Sequence, residues 1–187
     1  MYKAAVIGTS SGGMAALKAI LPLLPATFTL PVIVVQHVGA NADNYWVEVM
    51  NEMCALHVKE ADEKEPVTAG YIYVAPPNYH LLVETDRTLS LSVDEKVNFA
   101  RPSIDVLFES AALAYKDQLI GIVLTGANHD GAKGLKKIKE KGGLAIVQDP
   151  ASADSAYMPS AAAAAAQPDY IVPVKDIAPL LIKITQL

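Results

Sequence analysis

The chain has 187 residues, 52% of them hydrophobic and 19% charged, and its 15 Lys and Arg against 20 Asp and Glu give a net charge of −5. This length and balance fit one domain, residues 1–187, with a sizeable core. The acidic surplus argues against a nucleic-acid partner, which needs a basic footprint. A single cysteine, Cys54, excludes an internal disulfide and any multi-cysteine metal site.

The first stretch is the most informative. Ala4 to Ile7 is apolar, Gly8-Thr9-Ser10-Ser11-Gly12-Gly13 follows, and an alanine-rich helical pattern runs from Met14 to Leu24, closed by Pro22 and Pro25. That order predicts strand, sharp turn and helix. With a strand beginning almost at Met1, no signal peptide is expected, and no apolar run reaches the ~18 residues that span a membrane. A cytoplasmic protein without membrane insertion is the expectation.

Val32 to Gln36 predicts a second strand that delivers His37 to its carboxyl end, and Asn41 to Met53 a helix with Tyr45, Trp46, Val49, Met50 and Met53 on one stripe. The charged segment Lys59 to Glu65 reads as a solvated connection. Tyr71 to Ala75 predicts a strand, and Leu81 to Glu84 with Thr88 to Val93 an antiparallel hairpin at one edge of the sheet. A helix opens at Arg101-Pro102-Ser103-Ile104-Asp105 and runs through Ala114. The continuous apolar run Leu119 to Leu124 predicts a strand covered on both faces. A turn from Thr125 to Gly131 leads into a helix over Ala132 to Lys141. A strand over Leu144 to Gln148, a helix over Ser155 to Ala166, a strand at Tyr170 to Val172 and a helix over Ile177 to Ile184 complete the pattern. The alternation predicts an α/β fold: a doubly wound, mostly parallel sheet with helices on both faces.

Gly8-Thr9-Ser10-Ser11-Gly12 fits G-x-S-x-G, in which the turn raises a nucleophilic serine; an ordinary glycine-rich turn is the bland alternative. A dinucleotide site is disfavoured, because Ser10 stands where the second glycine belongs and the second strand ends in His37 rather than an acid. No Gly-Lys-Ser/Thr is present for a P-loop. Serine needs a base, and the base needs an orienting partner. Ser10, His37 and Asp130 fall at or just beyond strand carboxyl ends, where such sheets bind ligands. Their order differs from the Ser–Asp–His order of α/β-hydrolases. His57 reads as structural, His80 as a rim residue and His129 as a helix-start polar group, so spacing alone leaves the base open.

Ile7-Gly8-Thr9-Ser10-Ser11-Gly12-Gly13, Val35-Gln36-His37, Tyr73-Val74-Ala75-Pro76, Arg101-Pro102-Ser103-Ile104-Asp105 and Leu124-Thr125-Gly126 through Asp130-Gly131 occur in one order. Together they resemble the catalytic domain of the chemotaxis protein-glutamate methylesterases (CheB-type) over essentially the whole chain. The resemblance implies a serine esterase, with no organic cofactor and no metal, that hydrolyses glutamyl methyl esters on the cytoplasmic helices of chemoreceptors and deamidates some glutamines. It implies Ser10 as nucleophile, His37 as base and Asp130 as orienting carboxylate, with the N–H groups of Ser11 and Ala127 as oxyanion hole. Arg101, Ser103 and His80 are expected to contact substrate. The chain departs from the family in carrying Ala127-Asn128 where Met-Gly is usual and Ser11 where threonine is common. Members often have an N-terminal receiver domain, whereas here Met1 leads straight into the catalytic pattern, so any regulatory receiver is expected as a separate protein. A non-catalytic receptor adaptor, or an esterase acting on another methylated protein or a small ester, are the alternatives.

Overall fold

A computed structural model describes residues 1–186. The elements run β1 (Ala4–Thr9), α1 (Gly13–Ile20), β2 (Val32–Gln36), α2 (Tyr45–Met53), β3 (His57–Glu60), β4 (Tyr71–Val74), β5 (His80–Val83), β6 (Leu89–Ser92) and α3 (Ile104–Tyr115). They continue with β7 (Leu119–Val123), α4 (Ala132–Glu140), β8 (Leu144–Gln148), α5 (Tyr157–Ala166), β9 (Tyr170–Val172) and α6 (Val174–Thr185). After α1 the chain tightens into one 3-10 turn at Leu21–Leu23, where Pro22 cannot continue the α-helical bonding.

Seven strands form one sheet in the order β3-β4-β2-β1-β7-β8-β9, every neighbouring pair parallel. The apolar runs follow from this placement, since a parallel strand covered by helices on both faces has no wet side. All six residues of β1 are buried. Ala4 and Val6 face the core shared with α3, α4 and α5, while Ala5 and Ile7 face the core shared with α1, α2 and α6. From β1 the chain first builds outward through β2 and β4, then returns to β7 on the other side of β1 and builds outward again. The topological switch point therefore lies between β1 and β7, and a crevice opens beyond their carboxyl ends.

One expectation fails. The segment starting at Lys59 is not all connection, because His57–Glu60 pairs in parallel with Tyr71–Val74 as the edge strand. Only Val58 is buried in it, so it carries the weak signature of an edge rather than a core strand. The antiparallel hairpin forms, with His80 opposite Ser92 and Val83 opposite Leu89, as a two-stranded sheet of its own. Leu81, Val83 and Leu89 pack into the core on the α3 side, and the Lys64–Val67 segment bonds along β6 and its turn, from Lys64 N to Leu89 O at 2.8 Å and from Val67 N to Arg87 O at 3.0 Å. Helix bounds differ as well: α1 ends at Ile20 rather than Leu24, and helices start at Tyr45 rather than Asn41, Ile104 rather than Arg101, Tyr157 rather than Ser155, and Val174 rather than Ile177.

Candidate active site

The turn after β1 is shaped by a left-handed residue and a close packing contact. Gly12 has φ +79°, and a Cβ there would stand 2.6 Å from Cβ of Asp154. At Gly8, a Cβ would collide with Cγ2 of Ile104, so the end of β1 touches the start of α3 directly. The turn is also bonded in place. Ser10 N donates to Thr125 O at 3.0 Å, and Gly13 N donates back to Ser10 O at 2.8 Å.

Ser10, partly buried, faces the imidazole of His37, with Oγ 3.2 Å from Nδ1. His37 is fixed from behind. Its N–H donates to Thr9 O at 3.0 Å, and the buried Gln36 amide donates to both Ser10 O and His37 O, at 3.1 and 2.9 Å. The other ring nitrogen, Nε2, lies 2.8 Å from Oδ2 of Asp130, whose side chain is fully buried against 12% exposure for the imidazole. Strands β2, β1 and β7 are adjacent, so the three residues converge at the switch point from three neighbouring strand ends.

Asp130 sits in a nest of donors. Oδ2 accepts from His37 Nε2 and from Ile104 N at 2.6 Å. Oδ1 accepts from Asn98 Nδ2 at 2.7 Å, Ser103 Oγ at 2.9 Å and Asp105 N at 3.1 Å. Burial alone would favour the neutral acid, but the bonds from His37, Ile104, Asn98 and Asp105 outweigh it and hold the carboxyl below its ordinary value. An ionised carboxylate only accepts, so the proton of the neutral ring belongs on Nε2 and the lone pair on Nδ1 points at the serine hydroxyl. This is the reverse ring assignment from the serine-protease template, in which Nε2 meets the serine. Asn128 Nδ2 also lies 3.3 Å from Nδ1, and Asn128 Oδ1 accepts from Asp130 N at 2.9 Å.

A second carboxylate supports the first. Asp105 is 5% exposed; its Oδ1 accepts from Gly131 N and Gly134 N, at 3.0 and 2.7 Å, and its Oδ2 from Asn98 Nδ2 at 2.8 Å. Burial raises its pKa, and the neighbouring Asp130 charge adds to the rise against the pull of these bonds. The two hydrogens of one amide, that of Asn98, thus separate two buried carboxylates. Thr125 performs the matching service on the serine side. Its O accepts from Ser10 N and Thr9 Oγ1, and its Oγ1 donates to Ser11 O at 2.8 Å and accepts from Ser155 N at 2.9 Å.

Ser11, next to the serine, and Ala127, two residues beyond the Thr125 carbonyl that holds it, are exposed, and neither N–H has a protein acceptor among the described residues. His37, Asn98, Phe99, Arg101, Pro102 and Asn128 line an open cleft of about 480 Å³. Arg101 reaches this cleft, but its guanidinium is engaged with Asn78 Oδ1, Val93 O and Asp94 O. Ser103 and His80 do not reach it. Ser103 is fully buried on Asp130, and His80 is 1% exposed with Nε2 on Glu95 O and Nδ1 accepting from Ser103 N. Their expected substrate contact gives way to support of the carboxylate. His57 stacks edge-on to Tyr71, outside the cleft, and burial raises the Cys54 thiol to about 11. Among the described residues no group of three or more His, Cys, Asp or Glu is placed to hold a metal ion, and no helix is long and apolar enough to cross a membrane.

Sequence reasoning missed Asn98, Thr125 and Gln36 as parts of the site. Gln36 carried a signal as a polar residue ending an apolar strand just before His37, and Thr125 as part of the Leu124-Thr125-Gly126 motif; Asn98 carried none.

The family model described as CheB methylesterase matches residues 5–181. A protein of Leptospira interrogans, provisionally named a protein-glutamate methylesterase/protein-glutamine glutaminase, is 55% identical over 185 residues, covering 99% of this chain and 96% of that one. The protein-glutamate methylesterase/protein-glutamine glutaminase of Symbiobacterium thermophilum is 36% identical over 92% of this chain, which spans 48% of it. The crystal structure of the Thermotoga maritima CheB methylesterase catalytic domain is similar with a TM-score of 0.93 and 34% identity, covering 98% of this chain and 99% of that one.

Proposed function

Because the chain belongs to the CheB methylesterase family, we propose that it is a serine esterase that converts glutamyl methyl esters on chemoreceptor cytoplasmic helices to glutamates. Methanol is released, and glutamine side chains are deamidated by the same route. The observation that carries this reading is the bonded chain Ser10 Oγ, His37 Nδ1, His37 Nε2, Asp130 Oδ2 at the sheet's switch point.

Ser10 Oγ attacks the ester carbonyl while His37 Nδ1 takes its proton, and Asp130 stabilises the imidazolium that forms. The oxyanion develops against the N–H groups of Ser11 and Ala127, which offer preorganised donors without reorganisation. Carrying Ala127-Asn128 where Met-Gly is usual keeps the Ala127 N–H in place and puts a further donor, Asn128 Nδ2, beside Nδ1. His37 then returns the proton to the leaving methoxide. A water attacks the acyl-Ser10 ester with His37 again as base, releasing glutamate and free serine. For a glutamine the leaving group is ammonia.

The test is methanol release from methylated receptor membranes. Wild type is expected to be active and Ser10→Ala inactive at unchanged thermal stability, since one turn hydroxyl is removed. A wild type that binds receptor yet releases no methanol refutes the esterase reading in favour of an adaptor. Control by a separate receiver protein is read in the same assay, with and without a phosphodonor and cell extract.

A further inference from the structure

Val97 and Ala100 exchange both backbone hydrogen bonds, N to O at 3.1 and 2.9 Å, around a two-residue turn made by Asn98 and Phe99. Both turn residues have positive φ, 53° and 63°. That geometry favours Asn followed by Gly. Asn98 meets the preference, and its side chain is the amide that separates Asp130 from Asp105. Phe99 does not meet it. A bulky side chain at positive φ is an outlier. Among the described residues the other non-glycines in that region are Lys64, Asn78, Arg87, Asn98, Lys116 and Gln167, all polar.

An unfavourable backbone is normally offset by packing, yet Phe99 is 95% exposed. Its ring therefore contributes nothing to the fold that holds it there. It stands instead on the rim of the cleft that His37 and Asn128 line, beside Lys96. Asn98 pins the turn to the carboxylate end of the catalytic chain, so the backbone that carries the ring is anchored to the site.

We propose that Phe99 is a specificity-determining residue that packs on the apolar side of the helix presenting the scissile ester. The inference rests on the methylesterase reading given above. A glutamyl ester on a helix surface has neighbours three and four residues away along the same face. A rim aromatic beside the cleft is placed to meet such a neighbour, which a small free ester does not have. Lys96 on the same rim suits the carboxylate that hydrolysis leaves on that helix.

The experiment compares methanol release from methylated receptor with cleavage of 4-nitrophenyl acetate. Phe99→Gly and Phe99→Asn both suit positive φ and remove the ring. Each is expected to raise KM for receptor by about tenfold to a hundredfold, the scale of burying one aromatic side chain. Receptor kcat and small-ester kcat/KM should stay within about twofold of wild type, with a thermal midpoint no lower. Phe99→Tyr should restore receptor KM, and Leu113→Ala, an exposed change near the far end of α3, should leave all values unchanged. Equal losses on both substrates would show that the turn acts through Asn98 on Asp130, and unchanged receptor KM would show that the ring touches nothing; either overturns the proposal. A wild type that cleaves the small ester through Ser10 but releases no methanol from receptor overturns the receptor assignment first, and this inference with it.

Discussion

Removing the Asn98 side chain tests the electrostatic design of the site. Asn98→Gly keeps the backbone free to hold φ 53° and deletes only the amide. Asp130 then loses one of five donors, whereas Oδ2 of Asp105 loses the one donor assigned to it. A hydrogen bond to a charged group contributes ~1.5–3 kcal/mol. The two bonds share one amide, and Asp105 can relieve its loss by taking up a proton, so a net destabilisation of ~2–4 kcal/mol is expected. For a domain of this size that lowers the unfolding midpoint by roughly 5–15 °C.

The loss should depend on pH with a definite sign. Asp105 already has a raised pKa from burial and from Asp130, and losing the amide raises it further. A carboxyl with a raised folded pKa gains folded-state stability as pH falls through that value, so the variant recovers part of its deficit in acid. The midpoint difference from wild type should therefore be larger at pH 8 than at pH 5. Activity should fall only about tenfold, because His37 keeps its bond to Asp130 and three other donors remain. Circular-dichroism melts at both pH values and initial rates on receptor check all three points. A midpoint within about 1 °C of wild type at pH 8 would refute the claim that this amide separates two interacting charges.

Asp130→Asn is expected to keep its remaining oxygen toward Asn98, Ser103 and Asp105 N, turning its NH2 toward His37 and forcing the ring proton onto Nδ1, while Ile104 N loses its acceptor at a cost of ~1–3 kcal/mol of stability. Methanol release should drop by ~10³–10⁴ with the fold intact, and a retained rate would show that Asp130 does not set the tautomer. Gly12→Ala brings a Cβ onto Asp154 at φ +79°, and denaturant unfolding should show a loss of ~2–4 kcal/mol.

Much of this architecture could be read from local pattern. The β1, β2 and β7 runs announced themselves because strands covered on both faces must be continuously apolar. The glycines around Ser10 marked a turn that only small residues allow. His57–Glu60 did not announce itself, since an edge strand needs only one buried side chain, Val58, and otherwise resembles a charged linker. Asn98 was invisible for a different reason. Its role depends on partners 7 and 32 residues away, and its neighbours carry no periodicity that points to them. Ser103 and His80 lie in polar loop and strand-end positions from which contact with substrate is expected, but a sequence does not tell which side of a loop a side chain takes, and both turn inward.

The Thr125 knot bears on how this enzyme can change over generations. From the loop before Ala127, one threonine binds both the Ser10 turn and the segment at Ser155, so a substitution in any of the three shifts the footing of the other two. Mutations there should be epistatic, with double-mutant cycles between Ser11, Gly126 and Ser155 departing from additivity by more than ~0.5 kcal/mol. Among the described residues the side chains of exposed Phe99 and Lys96 make no such shared bond, and changes at them should combine additively with changes in the knot. Divergence in substrate preference is then free to accumulate along the rim while the hydrolytic chemistry stays frozen beneath it.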